Sequence, residues 1–178
     1  MPTPDRTSLD AIVTAARDLL EDEGLAALTM NAVAQRVGVR APSLYKRVDS
    51  RDRLIQLVAE TTLLDLGSRL DETQDVRTIA ATFRAFGHER PAAFQLTLAP
   101  APGTPVADDR YRDAVTRDIL RAADGLAGPD DALEAARLVV AWATGFITIE
   151  LNGGFQLGGD VDAAWEFGIT RIIAAITR

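Results

Sequence analysis

Residues 33–54 read VAQRVGVRAPSLYKRVDSRDRL, and their pattern is the clearest indication of the fold. Two short helical segments meet here at Gly38, and the small Ala34 stands where two crossing helices must approach closely. Two helices joined by a short turn that often contains glycine are typical of a helix-turn-helix. The apolar residues that would form its small shared core are Val33, Val37, Val39 and Leu44.

The same stretch is a basic island in an acidic protein. The chain of 178 residues carries 19 basic and 26 acidic residues, a net charge of −7. Between residues 36 and 53, only Asp49 and Asp52 are acidic. The basic residues there are Arg36, Arg40, Lys46, Arg47, Arg51 and Arg53. Such an island can bind phosphate while the rest of the surface repels it, so the pattern favours nucleic acid.

Helical signals continue on both sides of the island. Apolar residues recur every three or four positions before it, with Thr7 as the predicted cap and Gly24 as the predicted stop. Thr29 is the predicted cap of the next helix, and Ser50 is the predicted cap of the longer helix that follows the island. The short helix between them begins at Arg40 or Ala41 and ends near Val48.

The second half of the chain also reads as helices. Pro91 interrupts the first of them, residues 99–105 form a loop, and Pro129 stands in the first turn of a later helix. Residues 146–151 have the composition of a strand. The helical spacing nevertheless continues through them from Leu133, so we predict a helix there and an all-α protein.

Composition excludes many functional classes. With no cysteine, the chain has no disulfide, thiolate zinc site or cysteine nucleophile. The chain has a single histidine, His88, so any histidine metal site or catalytic triad would have to be built around that one residue. The glycine-rich residues 152–159 lack the Gly-Lys-Ser/Thr ending of a phosphate loop. We therefore expect no catalytic residue, no metal and no cofactor.

The island and its flanks resemble the DNA-binding domain of the TetR family of transcriptional regulators. The resemblance covers residues 7–64 and depends on Leu44-Tyr45 and on Ser50-Arg51. Arg47-Val48 stands where the family usually has His-Phe. The resemblance implies a helix-turn-helix domain at residues 1–50, a connecting helix at 51–70, and a ligand-binding and dimerisation domain at 71–178.

A recognition helix of this kind enters the major groove of DNA with its N-terminal residues on base edges. Arg40 can pair with guanine, Ser43 can bond several bases, and Ala41 and Pro42 can touch thymine methyl groups. Phosphate contacts fix the register of the helix on DNA without reading sequence. The predicted phosphate-binding groups are Tyr45, Lys46 and the helix starts at Thr29 and Arg51. Two alternatives stay open: Tyr45 as a half-buried packing residue and Arg40 as a solvated one.

The C-terminal domain of the family binds a small molecule, and this half of the chain offers apolar candidates for such a pocket. The candidate ligand-binding residues are Phe83, Phe86, Phe94, Trp142, Phe146 and Glu150. The aromatic residues could equally belong to the core, and Glu150 to the rim. His88 is either a pH-responsive group or a structural residue.

The last two helices are the candidate dimer interface. A four-helix bundle between two subunits is what the resemblance implies, and a core within one subunit is the alternative. The candidate interface residues are Val140, Ile147, Trp165, Ile169, Ile172, Ile173 and Ile176. Two-fold symmetry would place two recognition helices on half-sites about 34–36 Å apart in a palindromic operator.

We therefore interpret the chain as a cytoplasmic homodimeric repressor of transcription, released from DNA by a small molecule. We find no secretion signal at its N-terminus, and no apolar run in the chain reaches the length that spans a membrane. The alternative is a helical ligand- or partner-binding protein whose helix-turn-helix does not regulate transcription.

Overall fold

In the computed structural model of the protein, residues 8–70 and 75–178 are described, and these residues form nine α-helices and no strand. The predicted all-α fold is confirmed. The helices are α1 (Leu9–Glu23), α2 (Met30–Arg36), α3 (Ala41–Tyr45), α4 (Arg51–Ser68), α5 (Val76–Glu89), α6 (Pro91–Leu98), α7 (Asp109–Ala127), α8 (Ala132–Leu151) and α9 (Val161–Ile176).

Side-chain caps set several helix starts. The Thr29 hydroxyl accepts a hydrogen bond from an amide in the first turn of α2 at 3.2 Å, and the Ser50 hydroxyl accepts one in α4 at 3.1 Å. Both caps are as the sequence predicts. The cap of α1 is Ser8, whose hydroxyl accepts at 3.1 Å; the predicted cap, Thr7, lies outside the described residues.

Two helix ends differ from the prediction. Helix α3 stops at Tyr45 instead of continuing to Val48, because the next amides bond back to the Leu44 carbonyl in a closing turn. Helix α8 starts at Ala132, after a turn over residues 128–131. Residues 146–151 are helical, as the spacing predicts, and form the end of α8.

The helices form two compact units. Unit 1 contains α1, α2, α3, most of α4, and residues 90–108 with α6. Unit 2 contains residues 65–89, with the last turn of α4 and α5, and residues 109–178, with α7, α8 and α9. Packing thus places α6 with the N-terminal helices, whereas the sequence places all of residues 71–178 in one domain.

Helix α8 is the central helix of unit 2 and packs mainly against α7 and α5. Its buried face is rich in alanine, which lets neighbouring helices approach closely; it consists of Ala135, Ala136, Val139, Ala143 and Ile147. By length and composition alone α8 could cross a membrane, which the sequence analysis did not anticipate. Only 28% of its apolar window is buried inside the chain, so the helix leaves a large apolar face exposed.

Candidate functional site

Unit 1 contains a helix-turn-helix formed by α2 and α3. Between the two helices Gly38 has φ +74°, a left-handed conformation that side chains with a Cβ rarely adopt. The Val39 amide then donates to the Ala34 carbonyl at 2.9 Å, which closes the turn. Of the predicted shared core, Val33 and Leu44 are buried, as is the small Ala34, whereas Val37 and Val39 are half-buried.

The residues of the predicted recognition helix are open to solvent. The Tyr45 side chain is 51% exposed, although its neighbour Leu44 is fully buried. Arg40, Pro42 and Lys46 are also exposed, and Ala41 and Ser43 are half-buried. Tyr45 is therefore not a core residue, and α3 presents its polar groups outward.

The two predicted phosphate sites at helix starts differ in how they are built. Thr29 is exposed, and its hydroxyl caps α2. The Arg51 side chain is used inside the protein: Nε donates to the Leu28 carbonyl and Nη2 donates to the Leu25 carbonyl, both at 2.7 Å. Only the backbone amides at the start of α4 are thus left for a phosphate there.

Internal partners also occupy other cations of the basic island. Arg36 is paired with Asp22 of α1. Arg53, which the sequence analysis left among the island's cations, donates to the buried Glu60 carboxylate at 3.1 Å. Within the described part of the chain, Arg40 and Lys46 are exposed and have no ion-pair partner.

The predicted pocket aromatics do not form one group. Phe83 and Phe86 are buried in unit 2, and Phe94 is buried in unit 1. Trp142 and Phe146 are half-buried on α8 and belong to a packed aromatic cluster, which we define as Trp142, Phe146, Phe155 and Trp165. Their ring centroids lie 4.7–5.6 Å apart, the spacing of favourable aromatic pairs.

Glu150 lies beside this cluster in an ion-pair network. Arg84 of α5 donates Nε to the Glu150 carboxylate at 3.0 Å and Nη2 to Asp162 of α9 at 2.6 Å. The His88 Nε2 lies 3.2 Å from the same Glu150 carboxylate. The Arg84 guanidinium also stands over the Trp165 ring, 5.2 Å from its centroid.

This network favours the ionised form of Glu150. The hydrogen bond from Arg84 is the largest influence and lowers the pKa of Glu150, while burial opposes it and the His88 contact adds to the lowering. The side chains of Arg84 and Glu150 are only 17% and 12% exposed, so each is the main neutralising partner of the other. Sequence reasoning singled out Glu150 but missed Arg84, which stands 66 positions away.

The predicted interface residues divide into two sets. Ile147, Trp165 and Ile169 are almost completely buried in unit 2, so they have no surface left for a second subunit. The other four, which are partly exposed, are Val140, Ile172, Ile173 and Ile176. Sequence reasoning missed the most exposed large apolar side chains of α8 and α9, which are Leu138 (47%), Ile149 (46%) and Phe167 (65%).

Gly168 explains how closely α8 and α9 approach each other. A Cβ at this position would lie 2.4 Å from Cζ2 of Trp142, closer than atoms can approach without a shift. The Trp142 ring is held by its neighbours in the aromatic cluster, so it cannot move aside freely.

Among the described residues, no group of three His, Asp or Glu side chains could hold a metal ion.

Both halves of the chain match known families. Residues 12–58 match bacterial regulatory proteins of the tetR family, and residues 76–172 match the tetracyclin repressor-like C-terminal domain. The chain is 29% identical to Rv0681 of Mycobacterium tuberculosis, an uncharacterized HTH-type transcriptional regulator. That similarity covers 98% of this chain and 84% of the relative.

Solved structures share the fold. The crystal structure of SCO4313 has a TM-score of 0.79 at 24% identity and covers 95% of this chain and 97% of its own. ActR, a TetR family protein of Streptomyces coelicolor crystallised in complex with (S)-DNPA, has a TM-score of 0.68 at 20% identity. The match covers 94% of this chain and 95% of ActR.

Proposed function

Because the chain belongs to the TetR family of transcriptional regulators, we propose that this DNA-binding regulator is a homodimeric repressor that leaves a palindromic operator when a small molecule binds. The observation that carries the proposal is the exposed α3 surface, where Arg40 and Lys46 have no ion-pair partner in the described chain and Tyr45 is half exposed. We place the protein in the cytoplasm, with access to DNA and with no enzymatic activity, metal or cofactor.

The DNA contacts follow from the position of each residue on α3. Arg40, just before the helix, reads guanine in the major groove, Ser43 bonds a base edge, and Ala41 and Pro42 meet thymine methyl groups. Tyr45 and Lys46, one turn later, bind phosphates together with the amides at the starts of α2 and α4. The structural role of the Arg51 side chain supports this by fixing where α4 begins.

Tyr45→Phe tests the interface with the loss of one hydroxyl. We expect binding to weaken about five- to tenfold on every duplex, because a phosphate hydrogen bond contributes on the order of 1 kcal/mol and reads no sequence. The measurement is fluorescence anisotropy with duplexes selected from a random library, at two salt concentrations. Tyr111→Phe, at the other tyrosine of the chain, is the matched control.

The wild-type protein should bind a selected duplex tightly, and that affinity should fall steeply with salt as counterions are released. Weak, uniform binding that is the same in both variants would contradict the proposal. It would favour the alternative, a helical binding protein whose helix-turn-helix does not regulate transcription.

The dimer is proposed from the apolar face that α8 and α9 leave exposed. Leu138 and Ile149 of α8 and Phe167 of α9 are exposed, and Ile172 and Ile176 of α9 are partly exposed. Apolar residues on facing helices of two subunits can bury one another in a four-helix bundle. A second copy, not lipid, is the occupant we assign to this face.

Phe167→Glu should convert the dimer to a monomer. A carboxylate buried at the two-fold contact without a partner costs several kcal/mol per ion, and both subunits would carry one. Sedimentation velocity at micromolar concentration measures the change. Leu9→Glu is the control, because Leu9 is also an exposed leucine on a helix (40%) but lies in unit 1. A wild-type protein that sediments as a monomer would contradict the proposal.

The ligand site is proposed for unit 2. ActR, which shares the fold, was solved with a bound small molecule. In this chain, half-buried Trp142 and Phe146 and the charged Glu150 combine apolar surface with a polar group, as ligand sites usually do. A ligand releases DNA only to the extent that it binds the DNA-free conformation more tightly than the DNA-bound one.

A further inference from the structure

Arg53 is a cation of the basic island that an internal carboxylate holds. It stands in the first turn of α4, where its amide donates to the Ser50 hydroxyl at 3.1 Å. Its guanidinium donates from Nη1 to Oε1 of Glu60 at 3.1 Å. In the part of the chain that the structure describes, neither of these two side chains has another ion-pair partner. The pair lies entirely within unit 1, the unit that contains the helix-turn-helix.

The position of Glu60 determines which way the Arg53 side chain points. Glu60 follows Arg53 by seven residues on α4, which is two turns and roughly 10 Å along the helix axis. Side chains on a helix ordinarily tilt toward its N-terminus, so an unpaired Arg53 would extend toward the start of α4. The predicted phosphate site lies at that start, and the ion pair therefore holds the guanidinium away from it.

Burial makes Glu60 difficult to leave without its partner. The Glu60 side chain is only 4% exposed, whereas that of Arg53 is 39% exposed. A buried carboxylate that loses its only partner is strongly destabilising, so Arg53 cannot leave Glu60 for a phosphate without that cost. The pair of Arg36 with Asp22 differs, because Asp22 is exposed and water can replace its partner.

We propose that Glu60 is a positioning residue that keeps Arg53 away from the DNA backbone and so limits the affinity for DNA of any sequence. The proposal rests on the DNA contacts proposed above, which place a phosphate at the start of α4, and it adds a residue that opposes binding there. Glu60 touches no DNA and acts only through Arg53. Since phosphate contacts read no sequence, a regulator with fewer of them binds less tightly to the many sites that are not its operator.

The experiment compares full-length wild type with Glu60→Met, Arg53→Gln and the double variant. Methionine fills the place of Glu60 with an adaptable apolar side chain, and the partly exposed Arg53 is then free to turn to solvent or to a phosphate. Fluorescence anisotropy measures the affinity for a selected duplex and for a scrambled duplex of the same length. Glu23→Gln is the matched control, because it removes the same charge from an exposed carboxylate of unit 1.

Glu60→Met should bind both duplexes about five- to tenfold more tightly at about 50 mM salt, because Arg53 gains a phosphate contact. Each freed Arg53 should steepen the salt slope by about 0.9, so the gain should shrink about threefold or more when the salt is raised to about 200 mM. In the Arg53→Gln background, Glu60→Met should give no gain. Glu23→Gln should stay within about twofold of wild type, because salt screens exposed charges.

Loss of folding cannot imitate the expected result, since an unfolded variant binds DNA more weakly and not more tightly. Glu60→Gln, which removes the charge but keeps an acceptor, should show a smaller gain than Glu60→Met. Unchanged or weaker binding by both variants would overturn the proposal and leave the regulator function intact. A gain that persists in the absence of Arg53 would also overturn it, because the charge of Glu60 alone would explain that gain. Wild type that binds no duplex would instead overturn the function, and the proposal with it.

Discussion

Arg51→Ala is expected to lower the free energy of unfolding by about 3 kcal/mol, because each hydrogen bond from a charged group contributes about 1.5–3 kcal/mol and two are lost. The guanidinium joins the start of α4 to the carbonyls of Leu25 and Leu28, in the turn before α2. Leu28 is completely buried, so its carbonyl has little access to water as a replacement. Urea denaturation measures the loss.

Two other variants separate stability from DNA contact. Arg51→Lys keeps the charge but presents a point donor in place of the two-pronged guanidinium, so it should recover only part of the stability. Arg40→Ala should leave stability within about 0.5 kcal/mol, as surface substitutions usually do, and yet weaken DNA binding at guanine-containing sites. If Arg51→Ala were as stable as Arg40→Ala, the two hydrogen bonds from Arg51 would not contribute to the stability of the fold.

Arg84→Met should cost about 3 kcal/mol, because it leaves the carboxylate of Glu150 without its main partner in a mostly buried place. Methionine keeps much of the apolar stem but loses the contact of the guanidinium with the Trp165 ring. Arg77→Met is the matched control on the same helix. Its ion pair with Glu166 of α9 is exposed (41% and 63%), so it should cost less than about 1 kcal/mol.

The cost of Arg84→Met should depend on pH in one direction. The folded protein holds the pKa of Glu150 below its ordinary value of 4.5, chiefly through the Arg84 hydrogen bond. The stabilisation is therefore complete above about pH 4.5 and is lost as the pH falls through the lower pKa of the folded state. Urea denaturation from pH 7 to pH 3 should show wild type and variant converging in acid. A difference that stays constant with pH would assign the loss to packing and not to charge.

The local parts of the fold could be predicted from the sequence. Helix spacing, the caps at Thr29 and Ser50, and the glycine turn at Gly38 all depend on residues within a few positions of one another. Residues 146–151 could be assigned to a helix for the same reason, in spite of their strand-like composition. The exposure of Tyr45 did not follow locally, because the sequence left open whether its large ring packs or faces solvent.

The parts that were missed depend on contacts between distant residues. Arg84 meets Glu150 from 66 positions away, and Glu21 meets α6 from 71, with no spacing rule to connect them. The same limit applied to the interface: an isoleucine-rich α9 gives no sign of which side faces α5 and α8. In the structure Trp165 and Ile169 are buried, whereas Phe167 is exposed. The sequence assigned a phosphate contact to the helix start at Arg51 but gave no sign that the Arg51 side chain bonds to the turn before α2.

The position of α6 within unit 1 has a consequence for synthesis of the protein. The ribosome completes every predicted DNA-contacting residue by Arg51. Ala92 and Ala93 of α6, whose amides donate to the Glu21 carboxylate of α1, are made only after the whole of α5. Long-range contacts of this kind delay folding, because they cannot form until the distant segment exists. A nascent chain that ends before Arg90 carries the recognition helix without α6, the helix that packs against α1. Unit 1 is therefore completed only after α5, a helix of unit 2, and then α6 have been synthesised.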